Sequence, residues 1–299
     1  LKAAPSPGSR LGAAARMAAA DPQLALRGAR MLAALRSRRI GVHHGARLTR
    51  IDPDGTTLRA TFAVAGGTRT ATVDTVLMND GFNPSNEVLR LLGARFAWDA
   101  RFEQLRPERS PDCETTVPGV FAVGDCCGLG GAPAAVAEGE IAGAAAARRL
   151  GHAAAPPQDA PKRLVQARRF QDALWQLYAR PVTQLAEVPP ETLLCRCEEV
   201  SVGALDAALA AGAGDIGAAK RATRIGMGRC QGRYCGPALA ALMAARGGRA
   251  MDEFAFFAPR PPIKPVAIAS ILAAEPALAE ILGEANEADE ADADELAAS

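Results

Sequence analysis

The chain has 299 residues, 49% hydrophobic and 22% charged, with a formal net charge of +1. These are globular values, and the length is enough for two domains. Two Trp, two Tyr and nine Phe with no sustained basic face exclude a nucleic-acid-binding protein.

No apolar run approaches the length of a transmembrane span and no signal peptide opens the chain, so a soluble cytoplasmic protein is expected. Seven cysteines, four of them in a ligand-like pattern, suit a reducing compartment better than a disulfide framework.

In chain order, residues 1–20 are rich in Ala, Pro, Gly and Ser and give weak structural signals. Asp21-Pro22 is a good helix start, and the pattern predicts a helix to about Arg39. Its basic end (Arg36, Arg38, Arg39) reads as a solvated terminus. Strands are expected over 40–44, 46–52, 57–64 and 68–73, with Asp52-Pro-Asp-Gly55 and Gly66-Gly67 as turns. His43 and His44 read as ordinary strand residues.

Asp74–Asn79 fits a buried strand and Glu87–Gly93 a short helix. Between them, Gly81-Phe82-Asn83-Pro84-Ser85-Asn86 is similar to the segment marking the return to the flavin domain in two-dinucleotide-domain flavoproteins.

Thr115-Thr-Val-Pro-Gly119-Val-Phe-Ala-Val-Gly124-Asp125 reads as an apolar strand, Val120–Val123, closing in Gly-Asp. A glycine-rich turn and an alanine-rich helix over about 133–150 follow. Glycine lets backbone approach a ligand, and an aspartate at a strand end accepts hydrogen bonds from sugar-alcohol hydroxyls. Gly139 and Gly143 permit close helix packing. The stretch resembles the second FAD motif of the glutathione-reductase-like superfamily. That resemblance implies FAD contacts from Thr115, Gly124 and Asp125, with Asp125 on the ribityl chain. Adjacent cysteines do not readily form the dithiol of a C-x-x-C redox pair, so Cys126 and Cys127, with Cys113, read as thiols that bind no metal.

An Ala/Pro linker follows at His152–Pro161, then a helix over 162–179 whose aromatics are expected to pack between domains. Beyond Pro189-Pro190 comes the strongest signal, Cys195-Arg-Cys197, 32 residues, then Cys230-Gln-Gly-Arg-Tyr-Cys235. Four soft thiolates suit iron–sulfur or zinc. Zinc sites mostly use C-x2-4-C pairs, so this spacing leans towards iron. A helix is expected from Ser201, its N-cap, to Ala211, and another with Pro237 in its first turn.

The residues around these cysteines resemble the [2Fe-2S] domain of the bacterioferritin-associated-ferredoxin (BFD) type. More narrowly, they look like its copy in the flavoprotein subunits of opine oxidases (A-type), hydrogen cyanide synthase (B-type) and amino-acid dehydrogenases. Phe254–Val266 resembles the extended segment that follows it there and is expected to dock on another domain or subunit. From Glu284 an acidic tail is expected to be disordered.

The resemblance implies an α/β fold: the C-terminal part of a two-dinucleotide-domain flavoprotein, then a small helical [2Fe-2S] domain. It divides the chain into 1–151 (the end of a nicotinamide-type domain to 80, a returning FAD segment from 81), a linker with a helix over 152–190, the cluster domain over 191–248, and a docking segment and tail over 249–299. It implies an FAD-dependent electron-transfer subunit partnered by a second protein that oxidises an amine or imino acid, with no catalytic acid or base of its own. Cys195, Cys197, Cys230 and Cys235 would hold the cluster. No G-x-G-x-x-G follows a strand-like run, so an N-terminally truncated flavoprotein with an incomplete FAD site is expected, and NAD(P) use stays open. The alternative is a flavin-free [2Fe-2S] or zinc-binding interaction module.

Overall fold

The structure, a computed structural model, describes residues 7–43, 45–79, 81–178, 188–247, 250–263 and 265–277. The chain divides into two compact units. The first comprises residues 1–89, 93–188 and 250–253, and the second residues 90–92, 189–249 and 254–299.

The first unit opens with α1 (Pro7–Ala20), a helix that the weak local signals did not lead one to expect. Its alanine run has high helix propensity, and Ala13 is fully buried. Arg16 Nη2 reaches Gln176 Oε1 at 2.5 Å. Helix α2 (Pro22–Ser37) begins as expected, with the Asp21 carboxylate accepting the Leu24 N–H at 2.9 Å. The strand expected over 40–44 is absent at its described residues. His43 instead packs on Phe62, ring centroids 5.9 Å apart, and His44 lies outside the described residues.

Strands β1 (Arg47–Asp54), β2 (Thr57–Val64) and β3 (Gly67–Val73) form an antiparallel meander. Gly55 at φ 63° and Gly66 at φ 90° supply the left-handed turn residues that tight hairpins need. The strand expected at Asp74–Asn79 is irregular, with Leu77 93% exposed. An apolar run becomes a buried strand only beside a partner, and no described strand pairs with it.

Helix α3 (Glu87–Leu91) and the hairpin β4 (Phe96–Asp99) and β5 (Gln104–Pro107) follow. Buried Asn86 donates to the Leu105 carbonyl at 2.9 Å, pinning the Gly81–Asn86 segment to β5. Val120–Val123 is likewise no strand. Its only pairing among the described residues is one isolated bridge, Glu114 to Phe121, too short to make a ladder. Helices α4 (Ala132–Arg149) and α5 (Ala160–Leu177) pack through Ala134, Ala137, Ile141, Ala160 and Leu164. Gly139 and Gly143 face open space among the described residues, so they are not the contact positions expected of them. Trp175, expected between domains, packs edge-on against Phe102 of its own unit, 5.4 Å between centroids.

The second unit holds the hairpin β6 (Leu193–Cys195) and β7 (Val200–Ser201) and helices α6 (Val202–Ala210), α7 (Ile216–Thr223) and α8 (Cys235–Gly247). Ser201 caps α6 through the Ala204 N–H and Asp215 caps α7 through the Ala218 N–H. Val202, Leu205, Ile225, Leu239 and Leu242 form its core, each no more than 2% exposed. Residues 256–263 are irregular, with bends, and proline-rich, and the acidic tail lies outside the described residues.

Leu239→Ala empties a fully buried position and is expected to destabilise the fold by about 2–5 kcal/mol. Urea unfolding followed by helical circular dichroism measures it.

Candidate functional site

In the first unit, the Gly-Asp motif is a single 3-10 turn, Gly124–Cys127. Gly124 has φ 73°, which favours glycine, and a Cβ there would press on Ala135 Cβ at 3.3 Å. Its N–H donates to Glu138 Oε2 at 2.8 Å. Glu138, only 4% exposed, also accepts from Arg109 Nη2 at 2.8 Å and Arg168 Nη2 at 3.0 Å. Arg109 Nη1 in turn donates to the Ala122 carbonyl at 2.7 Å.

Burial alone would push the Glu138 carboxyl up. Arg109, the Gly124 N–H and Arg168 outweigh it and hold the group below its ordinary value. Burial also lowers Arg109, but Glu138 raises it further. The glycine-rich turn before α4 is held separately, by Gln104 Oε1 accepting the Leu129 N–H at 3.2 Å.

This frame leaves the Asp125 side chain exposed, with no hydrogen-bond partner among the described residues. Thr115 is buried, its hydroxyl engaged with Val117 N at 3.2 Å and Val117 O at 3.3 Å. Of the three residues named for FAD, Asp125 is presented outward, while Gly124 and Thr115 shape the loop beneath it.

In the second unit, β6 ends at buried Cys195, and the turn into β7 carries exposed Cys197. Cys230 lies in the loop before α8 and buried Cys235 is the first residue of that helix. The thiols influence one another crosswise: Cys195 acts on Cys235, and Cys197 on Cys230. Among the described residues no three His, Cys, Asp or Glu side chains are grouped around one metal position.

Burial works to raise the Cys230 thiol, but the Tyr234, Gly232 and Arg233 backbone N–H groups and Cys197 bring it below its usual value. Such a nest of N–H groups favours a thiolate. Burial and the neighbouring Cys195 push Cys235 up to about 12.

Glycines make these loops possible. A Cβ at Gly228 would run into Cys197 Cβ. At Gly226 it would lie 2.5 Å from the Phe257 ring, and at Gly232 it would strike the same ring. Lys220 Nζ sits 5.2 Å from that ring's centroid. Phe257 thus seals the glycine face of the cysteine loops.

Comparisons with known proteins cover both units. The sarcosine oxidase A3 domain matches residues 190–275, and the pyridine nucleotide-disulphide oxidoreductase domain matches residues 11–140. The A-type subunit of opine oxidase from Rhizobium meliloti (strain 1021) is 30% identical over 84% of this chain and 55% of its own length. The HcnB subunit of hydrogen cyanide synthase from Pseudomonas aeruginosa is 30% identical over 82% of this chain and 55% of its own. The chain is thus similar to the A-type opine oxidase and HcnB subunits over most of its length. L-proline dehydrogenase from P. horikoshii shares the fold, with TM-score 0.57 and 21% identity over 75% of this chain and 43% of that one. The chain spans about half the length of the curated relatives it matches.

Sequence reasoning did not find Arg109, Glu138 or Arg168, and it reached Phe257 only as part of the docking segment Phe254–Val266. Each acts across a long stretch of chain, and no local motif marks it. Glu138→Ala leaves half-buried Arg109 without its carboxylate partner and is expected to cost about 3 kcal/mol, read by urea unfolding. Because the folded carboxyl lies below its unfolded value, its stabilisation is complete above the ordinary carboxylate range. It is lost as pH falls through the folded value, and Glu138→Gln removes that acid-dependent component.

Gly226→Ala, at φ 78° under Phe257, is expected to cost about 1–3 kcal/mol by overpacking. Phe257→Ala in the same chain relieves the clash, leaving only the backbone part. Thermal unfolding of the single and double variants measures both.

Proposed function

We propose that this chain is the electron-transfer part of an FAD-dependent amino-acid or opine-type oxidase or dehydrogenase. It holds a [2Fe-2S] cluster on Cys195, Cys197, Cys230 and Cys235 and contributes Asp125, shaped by Gly124 and Thr115, to an FAD site. The observation that carries the reading is the crosswise pairing of the four cysteines on glycine loops. A binuclear cluster takes two thiolates at each iron, and two thiol pairs offer that donor set. The N–H nest at Cys230 favours the anionic ligand form. In the first unit the unpartnered Asp125 carboxylate offers an acceptor to ribityl hydroxyls.

When bound, the cluster supplies one-electron transfer. The chain's own part is to bind, orient and seal. Cys195 and Cys235 are buried ligands and Cys197 the exposed one, while Phe257 excludes water from the glycine face. Glu138, through Gly124, holds the turn that aims Asp125. The relatives are named as subunits, which supports a hetero-oligomer in which a second chain oxidises the amine. Among the described residues no helix is long and apolar enough to cross a membrane, and a reducing cytoplasm suits the free thiols.

The test is metal analysis of protein prepared without oxygen. Two irons and two acid-labile sulfides per chain are expected, lost in Cys195→Ala or Cys230→Ala and kept in Cys126→Ala. Stoichiometric zinc with no labile sulfide overturns the cluster and leaves a zinc-stabilised interaction module.

A further inference from the structure

Three cysteines take no part in the reading above. Cys113 and Cys127 are buried and Cys126 is half-buried. Cys126 and Cys127 adjoin in the Gly124–Cys127 turn, their sulfurs 3.6 Å apart. As a thiol, Cys126 donates to the Val123 carbonyl at 3.2 Å, which sets its rotamer towards Cys127. The positive charge of Arg109, anchored on Glu138 and the Ala122 carbonyl, acts on both sulfurs.

We propose that Cys126 and Cys127 are a redox-responsive dithiol that reacts with low-molecular-weight disulfides, Cys126 attacking and Cys127 resolving. The inference stands independently of the flavin and cluster assignments.

The more exposed sulfur is the activated one. When Cys126 ionises, the Cys127 S–H can donate to it; that hydrogen bond favours ionisation, burial opposes it and Arg109 favours it, bringing Cys126 down to about 7. Cys127 is held as the thiol by that same hydrogen bond and by burial, so its value is raised. Among the described residues, Glu138, Cys113, Arg106 and Arg168 are the other titratable or charged groups around Arg109.

The Cys126 thiolate attacks one sulfur of the small disulfide, and the first thiolate leaves and takes a proton from water. Cys126 is now neutral, so nothing remains to hold the Cys127 proton on its sulfur. Cys127 gives that proton to solvent and attacks the Cys126 sulfur, expelling the second thiolate. Two protein thiols lose two electrons, and the small disulfide gains them as two thiols. Neighbouring Cα atoms are about 3.8 Å apart, closer than the usual span of about 4.4–6.8 Å for a disulfide. The ring is therefore strained, and such bonds are readily reduced. The modification reverses in excess thiol.

The test exposes the full chain to oxidised glutathione, blocks free thiols with N-ethylmaleimide after denaturation, and maps tryptic peptides. Cys113, Cys126 and Cys127 share the peptide 110–148, and the other four cysteines fall elsewhere. The expected product of that peptide is lighter by two hydrogens and carries one maleimide, on Cys113. Reduced glutathione should restore three maleimide sites. Cys127→Ala should retain one glutathione on Cys126, and Cys126→Ala should neither crosslink nor take up glutathione. The rate should level off above about pH 8 instead of following an ordinary thiol of about 8.5. Three free thiols in the oxidised wild-type peptide, a bridge to Cys113, or glutathione left on Cys126 beside a free Cys127 would each overturn the proposal. Because the wild-type map alone decides, a variant that fails to fold does not rescue it.

Discussion

One buried carboxylate organises the first unit. Glu138 gathers Arg109 from the loop after β5, Arg168 from α5 and the Gly124 N–H from the turn before α4. Removing one partner of a buried ionic group strands the others, so the network is held together by the cost of its own disruption. Helix packing, turn geometry and the presentation of Asp125 all meet at that side chain. The thiol pair at Cys126 and Cys127 sits in the same turn and under the same guanidinium. The chemistry of the turn and its anchorage are therefore physically inseparable.

The second unit depends on close approach in place of charge. Gly226, Gly228 and Gly232 let Cys197 and the Phe257 ring come where a methyl group would collide. The ring arrives from a segment beyond α8, so the cysteine loops are completed by residues distant in sequence. The domain match over 190–275 includes that segment together with the four cysteines.

What the sequence made legible was local. Asp21 and Ser201 were readable as caps because the capping oxygen and its N–H lie three residues apart. The meander was readable because Gly55 and Gly66 mark its turns, and the four cysteines because their spacing is unusual. Helix α7 was not singled out, since its boundaries are set by Asp215 and the left-handed Arg224 and its one buried residue is an alanine. The strands expected at Asp74–Asn79 and Val120–Val123 failed for a different reason. Apolar patterning states that a segment is fit for a sheet, and only a ladder with a neighbour makes it one. Glu138 was invisible because an acidic residue amid alanines looks like helix surface until its arginines are placed.

The crosswise pairing of the thiols has a topological consequence. Cys195 and Cys235 stand at opposite ends of a chain loop of roughly 40 residues that contains α6 and α7, and any centre joining them closes that loop. By chain-entropy reasoning, a covalent tie across such a loop removes about 4 kcal/mol of freedom from the unfolded state. A group bound by both pairs fastens the loop twice, at the hairpin and at the start of α8. Its release would then be felt as loosening of the helical unit as a whole, beyond the loss of a redox centre.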